Sequence, residues 1–398
     1  TCTHMHTHAH TCTHMHTHAH TSTHKHTCTS NAMCDFLLLL LLHVCEPARA
    51  SMDVVFLWVN SSDPRVATEL QKAHRRYSIN ATGDGGDSSR YRSFGELELS
   101  IASVRRFAVG VNRMFLITSG ERPRFRADDI RLIRHSSFIP RSRLPTFSTH
   151  SIHAHLYRLS KRLTNPFLLF DDDILLTRRL NLRQLETNYL AGEGRHWPLR
   201  PLANRTFLRG VQNSVLATRR KTGLFLPRQN VPAHTPQLCF FETLFAVARI
   251  FREETLEHAY NPFRSLAEPN LRVLWNAMDR KFGTCKTQPG NQVIHFLEMG
   301  VYGTPRFSRE LCNVRDAPRQ YLTINDAIRD ANGSLLAYTA VLQPFFAWLR
   351  ALYMENNTRR LALAAGREMD CFRPPPPSPP PPFPPPPPPG GFGWLFSF

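Results

Sequence analysis

Three adjacent carboxylates, Asp171, Asp172 and Asp173, stand in FLLFDDDILL between two apolar runs. Ionised neighbours raise one another's pKa unless a cation or a ring of donors compensates. Asp171 and Asp173 form a D-x-D pair of the kind that holds Mg2+ or Mn2+ against phosphate, because hard cations take oxygen ligands. The competing use is a helix cap: one Asp would cap a helix starting near Ile174 while the others are solvated. Two lone groups further on, His234 in PAHTPQL and Arg264 in NPFRSLAEP, are of types that serve phosphoryl transfer. An imidazole of near-neutral pKa can accept a hydroxyl proton, and a planar guanidinium can clamp phosphate oxygens. His150, His153 and His155 are spaced by three and two; ligands on one helix face prefer i, i+4, so the spacing argues against a zinc site.

Positioning these groups falls to a series of short apolar runs and amphipathic stretches. DVVFLWVN from Asp53 reads as a buried strand, followed by the turn signal SSDP. SINATGDGGDSSR, 78–90, is a loop by composition. SFGELELSIASVRRFAV, 93–109, spaces its apolar residues as a helix, with Ser93 and Glu96 in a capping-box pattern. That cap competes with a catalytic use of Glu96. RMFLIT (113–118), IRLIRH (130–135) and PFLLF (166–170) read as strands, and SIHAHLYRLSKRL (151–163) as a helix. The alternation predicts an α/β, Rossmann-like, parallel-rich sheet flanked by helices, with the aspartates at a strand's carboxyl end, where ligands bind.

The ends of the chain differ from this core. Residues 1–32 repeat TCTHMHTHAH and hold ten of the twenty histidines, interleaved with threonine. Alternating His can chelate metal, yet a repeat so poor in apolar residues cannot bury a core. Residues 33–50 carry the short run FLLLLLL, well under the roughly 20 residues of a spanning helix, and Ala48-Arg49-Ala50 supplies a small-x-small cleavage pattern. A secretory signal is the expectation, against an upstream translation without function. The foldable part is 52–365. Beyond it, 366–398 holds fourteen prolines between 374 and 389, a polyproline II rod or linker. Cys239, Cys285, Cys312 and Cys371 show no CxxC pair, so a zinc knuckle is not expected.

The formal net charge is +18, and only six of the basic residues are Lys. A basic enzyme suits phosphates, nucleotide sugars or acidic glycans. The aromatic and basic interleaving that stacks single-stranded bases is missing, which argues against nucleic acid as partner.

Several separated segments together resemble the Stealth family of sugar-1-phosphate transferases, which includes bacterial capsule phosphotransferases and the catalytic subunit of the animal lysosomal N-acetylglucosamine-1-phosphotransferase. The family's DVVYTWVNG(S/T)D appears as DVVFLWVNSSD, 53–63. Its second region appears as ELELS (96–100), FLITSG (115–120), LPTFSTHSIH (144–153) and FDDD (170–173). The third resembles AHTP (233–236) and FRS (263–265), and the fourth TINDAIRD (323–330).

The resemblance implies transfer of a sugar-1-phosphate from a nucleotide diphosphosugar to a hydroxyl of a glycan acceptor, with Mg2+ (or Mn2+) bridging phosphates and nucleoside monophosphate released. It implies catalytic roles for Asp172, Asp173, His234 and Arg264, with Asp172 and Asp173 as metal ligands. Donor binding would fall to Asp53, Trp58, Asn60, Asp63, Glu96, Ser100 and His150. Apart from the resemblance, sequons at Asn60, Asn80, Asn204, Asn332 and Asn356 fit a secretory route, and the expectation is a glycoprotein of the secretory pathway, in the Golgi lumen. Four departures stand out: Ser61 replaces Gly, Asp171 replaces the Asn before the Asp pair, His153 replaces Glu, and LYMENNTRR replaces the family's ending. A metal-dependent glycosyltransferase moving the sugar alone, or an inactive glycan-binding relative, are the alternatives.

Overall fold

The structure, a computed structural model, describes residues 51–77, 88–93, 95–185, 190–197, 206–224, 229–255, 262–263, 268–282, 286–289, 294–298, 310, 313–314, 319–325, 346 and 349–350. All of them fall within the unit Ala50–Phe398. The extension 1–32, the signal pattern 33–50 and the tail 366–398 lie outside the described residues.

A five-stranded sheet organises the molecule. Its strands are β1 (Met52–Leu57), β2 (Val111–Thr118), β3 (Ile130–Arg134), β4 (Phe167–Asp171) and β6 (Gln237–Cys239), in the spatial order β6-β4-β1-β2-β3. The first four run parallel, and β6 joins the edge antiparallel to β4. Every residue of β1 is buried, as expected of a strand covered on both faces and written as a continuous apolar run.

Alternation along the strands divides the core in two. Val55, Leu57, Phe115, Ile117, Phe167 and Leu169 face one cluster. It is completed by helices α5 (Phe241–Thr255) and α6 (Leu271–Phe282). Val54, Phe56, Leu116, Leu168 and Phe170 face the other. Leu97, Ile101 and Val104 of helix α2 (Glu96–Phe107) cover them there. Burying each such side chain contributes about 1.5–3 kcal/mol. The chain also forms α1 (Pro64–Tyr77), α3 (Thr149–His153) and α4 (Thr206–Thr222).

After β4 the chain turns through Asp172 and Asp173 into β5 (Ile174–Leu176), which enters a second sheet. There β8 (Tyr321–Asn325) lies between β5, to which it is antiparallel, and β7 (Ile294–Glu298), to which it is parallel. No helix among the described residues is long and apolar enough to cross a membrane.

Three local expectations are corrected. The expected helix 151–163 stops at His153 and continues as a 3-10 turn, Leu156–Leu159. Its bonding tightens from Ala154 N–H to His150 O to Arg158 N–H to His155 O, which places both Leu156 and Leu159 in the core because residues three apart eclipse in a 3-10 turn. Ser93 is not a cap: α2 begins after Gly95, whose φ of 101° occupies the left-handed region that glycine tolerates, and Ser93 Oγ instead accepts from Trp58 Nε1 at 3.2 Å. Finally, Ile174 starts a strand rather than a helix, so the aspartates have no helix to cap.

Candidate active site

The site lies where the strand order reverses. From β1 the chain builds outward to β2 and β3, then returns to place β4 on the other side of β1. The crevice at the carboxyl ends of β1 and β4 is therefore the topological switch point at which open α/β sheets bind ligands. Leu57 and Asp171 are register partners at that edge. The antiparallel pairing of Gln237 with Leu169 and Leu238 with Leu168, continued backwards, carries the loop residue His234 to the aspartate turn.

The turn is held from both flanks. Ser100 Oγ donates to Ile174 O at 2.6 Å, and Leu176 N–H donates to Ser103 Oγ at 2.9 Å. On the other side Ile324 N–H of β8 donates to Asp173 O at 3.0 Å.

Three ligand-type atoms converge. His234 Nε2 lies 3.0 Å from Asp173 Oδ1 and 3.2 Å from Asp171 Oδ2, and one ligand atom from each of the three residues falls within 4.8 Å of the others. Arg272 Nη2 donates to Asp171 Oδ2 at 2.5 Å while its Nη1 donates to Thr235 O at 3.1 Å. The other oxygen, Asp171 Oδ1, is buried and has no hydrogen-bond partner among the described residues. An orphaned buried carboxylate oxygen beside a second carboxylate and an imidazole fits a divalent cation.

Electrostatics separates the three aspartates. Burial would raise the Asp171 carboxyl, but Arg272 and then His234 outweigh it and hold it well below the usual carboxylate range. Asp172 goes the other way: burial, then the charges of Asp173, Glu96 and Asp171, push it well above that range. His234 loses basicity through burial, yet Asp173 and the hydrogen bonds to Asp171 and Asp173 more than restore it, and it is raised to about 9. In the metal-free protein it is thus an imidazolium near neutral pH.

The expected metal pair was Asp172 and Asp173; the ligand-type atoms that converge belong to Asp171, Asp173 and His234. Asp172 and Asp173 form the turn between β4 and β5, and the Asp172 carboxylate is repelled by Asp173, by Glu96 at the start of α2 and by Asp171.

The expected donor-binding residues scatter. Asp53 is fully buried at the amino end of β1, about 13 Å from Leu57 by strand rise. There it accepts from Arg113 Nη2 at 2.7 Å, Asn112 Nδ2 at 2.8 Å and Thr164 N–H at 3.0 Å, so it closes the far edge of the sheet and not the ligand edge. Trp58 and Asn60 follow β1 at the ligand edge; Asn60 Oδ1 accepts from Ser62 N–H at 2.9 Å. Asp63 caps α1, its Oδ1 accepting from Arg65 N–H at 2.9 Å with Pro64 at the first helical position. Ser61, in place of the family's glycine, donates its N–H to Tyr91 O at 2.7 Å. Ser100 is fully buried and braces the aspartate turn, as above. His150 is buried on α3, its Nδ1 3.8 Å from Glu268 Oε2. Arg264 lies outside the described residues.

Sequence reasoning missed Arg272. It is the second residue of α6, whose first-turn amides of Arg272 and Val273 are capped by Asn270 Oδ1. A cation there opposes the positive end of the helix dipole, and that opposition was the readable signal of a nearby anion. Arg272→Ala should destabilise the metal-free protein by about 1–3 kcal/mol, the usual cost of a lost hydrogen bond to a charged group, since Asp171 keeps His234 as a partner. Urea unfolding in chelator checks this; a loss under about 1 kcal/mol would remove the pair's structural role.

Residues 90–191 match the family model described as Stealth protein CR2, conserved region 2. The chain is 35% identical over 132 residues to the capsular polysaccharide phosphotransferase LcbA of Aeromonas hydrophila, covering 32% of this chain and 36% of that protein. It is 34% identical over 137 residues to LcbA of Neisseria meningitidis, covering 33% and 36%. To the capsular polysaccharide phosphotransferase SacB of Neisseria meningitidis serogroup A it is 26% identical over 234 residues, covering 56% and 41%. The chain thus spans well under half the length of these curated relatives.

Proposed function

We propose, on the premise that this chain carries conserved region 2 of the Stealth proteins, that it transfers a sugar-1-phosphate from a nucleotide diphosphosugar to a hydroxyl of a glycan. The convergence of Asp171, Asp173 and His234 beside Arg272 at the switch point carries this reading. The names of the similar proteins support a phosphotransferase acting on polysaccharide.

Asp171, Asp173 and His234 would hold the divalent cation. When bound it would neutralise charge on the diphosphate. One imidazole among carboxylates favours Mn2+ over Mg2+, which prefers an all-oxygen shell. In the transfer, the acceptor oxygen attacks the sugar-linked phosphorus, the bond from that phosphorus to the bridging oxygen breaks, and the electron pair leaves on nucleoside monophosphate. Asp172, in its ionised form, would take the hydroxyl proton, since a carboxylate of raised pKa is the stronger base. Arg272 keeps Asp171 ionised and in place.

The deciding experiment is incubation with a panel of nucleotide sugars and Mn2+, with mass spectrometry of the nucleotide released. Nucleoside monophosphate is expected. Nucleoside diphosphate would instead identify a glycosyltransferase moving the sugar alone, which the same D-x-D pair could serve.

Cation uptake should depend on pH. A proton leaves His234 when an ion arrives, so Mn2+ affinity should rise as pH climbs toward about 9, by up to about tenfold per unit. Calorimetry in two buffers of different ionisation enthalpy counts that proton; uptake with no proton released would remove His234 from the ligand set. The metal-free fold shows the opposite trend. Stability from the His234 imidazolium is full below about 6.5 and is lost as pH rises through about 9.

A further inference from the structure

We propose that Thr323 is a positioning residue that sets the spacing of His234 and Asp173, an inference that rests on the cation-site reading above. Thr323 is fully buried in the middle of β8, between Leu322 and Ile324, which are buried as well. Its hydroxyl donates to His234 O at 2.7 Å. The next amide, Ile324 N–H, donates to Asp173 O at 3.0 Å. Two adjacent residues of one strand therefore grip the backbones of both partners of the 3.0 Å contact between His234 Nε2 and Asp173 Oδ1.

Those partners come from segments 61 residues apart, and His234 sits in a loop before β6 with no regular element of its own. β8 is tied to the aspartate side by its antiparallel pairing with β5, Thr323 opposite Ile174. On the loop side the Thr323 hydroxyl reaches the His234 carbonyl, while Arg272 Nη1 holds the next carbonyl, Thr235 O, at 3.1 Å. Valine has nearly the shape of threonine and would fill the position, so what threonine adds is the bond.

The test uses the full chain with Thr323→Val and Thr323→Ser, Mn2+ titrated by electron paramagnetic resonance, and melting followed in chelator. Thr323→Val should bind Mn2+ about tenfold to a hundredfold more weakly, the usual penalty for loosening a group behind the ligands. Thr323→Ser should restore binding to within a few-fold. A valine variant that binds like the parent, or a serine variant as weak as valine, overturns the proposal; a fall in melting temperature with unchanged affinity would show a purely structural role and overturns it too. Should Thr323→Val fail to fold, Thr323→Cys, of similar size with a weak donor, takes its place with the same expected loss. A parent that takes up no Mn2+ sinks the cation reading alone. In that case the crystal structure of metal-free Thr323→Val decides: His234 drawn away from Asp173 supports the role of Thr323, and an unchanged 3.0 Å contact overturns it.

Discussion

Asp173→Asn should take up no Mn2+ at millimolar concentration and should turn over donor roughly a thousandfold more slowly than the parent, because a bound cation gives developing charge several kcal/mol and each 1.36 kcal/mol is a factor of ten. Asparagine keeps an oxygen within reach of His234 Nε2 and nearly the same volume, so the turn itself survives. What disappears is the charge on one of two ligating carboxylates. The same charge is a leading cause of the raised His234 pKa, so the imidazolium should titrate at lower pH in this variant. Stability should move little, since losing the attraction to His234 is offset by relief of repulsion with Asp172. Calorimetric Mn2+ titration beside a thermal melt makes the measurement. Retained uptake would take Asp173 out of the ligand set, whatever the activity.

Asp172→Asn should show the reverse pairing of losses: Mn2+ affinity close to the parent's, with kcat lower by roughly 10²–10⁴, the range expected when a positioned proton acceptor is removed. Asp172 interacts with Glu96 rather than joining the converging ligand atoms, and burial with three acidic neighbours holds its carboxyl well above the ordinary range. A raised carboxyl means that the folded chain binds the proton more tightly than the unfolded one. The parent therefore loses stability as pH rises from the ordinary 3.8 toward the raised value, and the asparagine variant does not. Urea unfolding at several pH values should show Asp172→Asn gaining on the parent as pH increases. An unchanged kcat would assign the proton elsewhere, and lost Mn2+ affinity would restore Asp172 as a ligand.

Much of the frame was legible because β1, β4 and the Met114–Thr118 stretch of β2 are short, apolar and largely buried. Such runs need no partner to be recognised. The aspartate turn and His234 were also legible as chemistry. Which carboxylates converge was not, since the answer depends on how Asp172 and Asp173 turn and on β5 following as a strand. The place of Asp53 at the amino end of β1 was illegible for a related reason: a motif names residues along one strand without saying which end of it meets the ligand. Its buried contacts with Arg113, Asn112 and Thr164 come from segments that no local pattern connects. Arg272 was written in plain view, at a helix start that disfavours cations, and was passed over because lone arginines are common in a chain so rich in them.

The strand that brings His234 to the sheet edge has a consequence for inheritance. Residues 90–191 contain all three aspartates and His153, yet the two side chains that compensate Asp171 most, Arg272 and His234, come from beyond that segment. Moved into another protein alone, the segment would carry its mutual repulsion without its cure. It is half of a charge-balanced device, and such halves must be transmitted together: a recombination joint between 191 and 272 would have to preserve β6 and the start of α6 to keep Asp171 compensated.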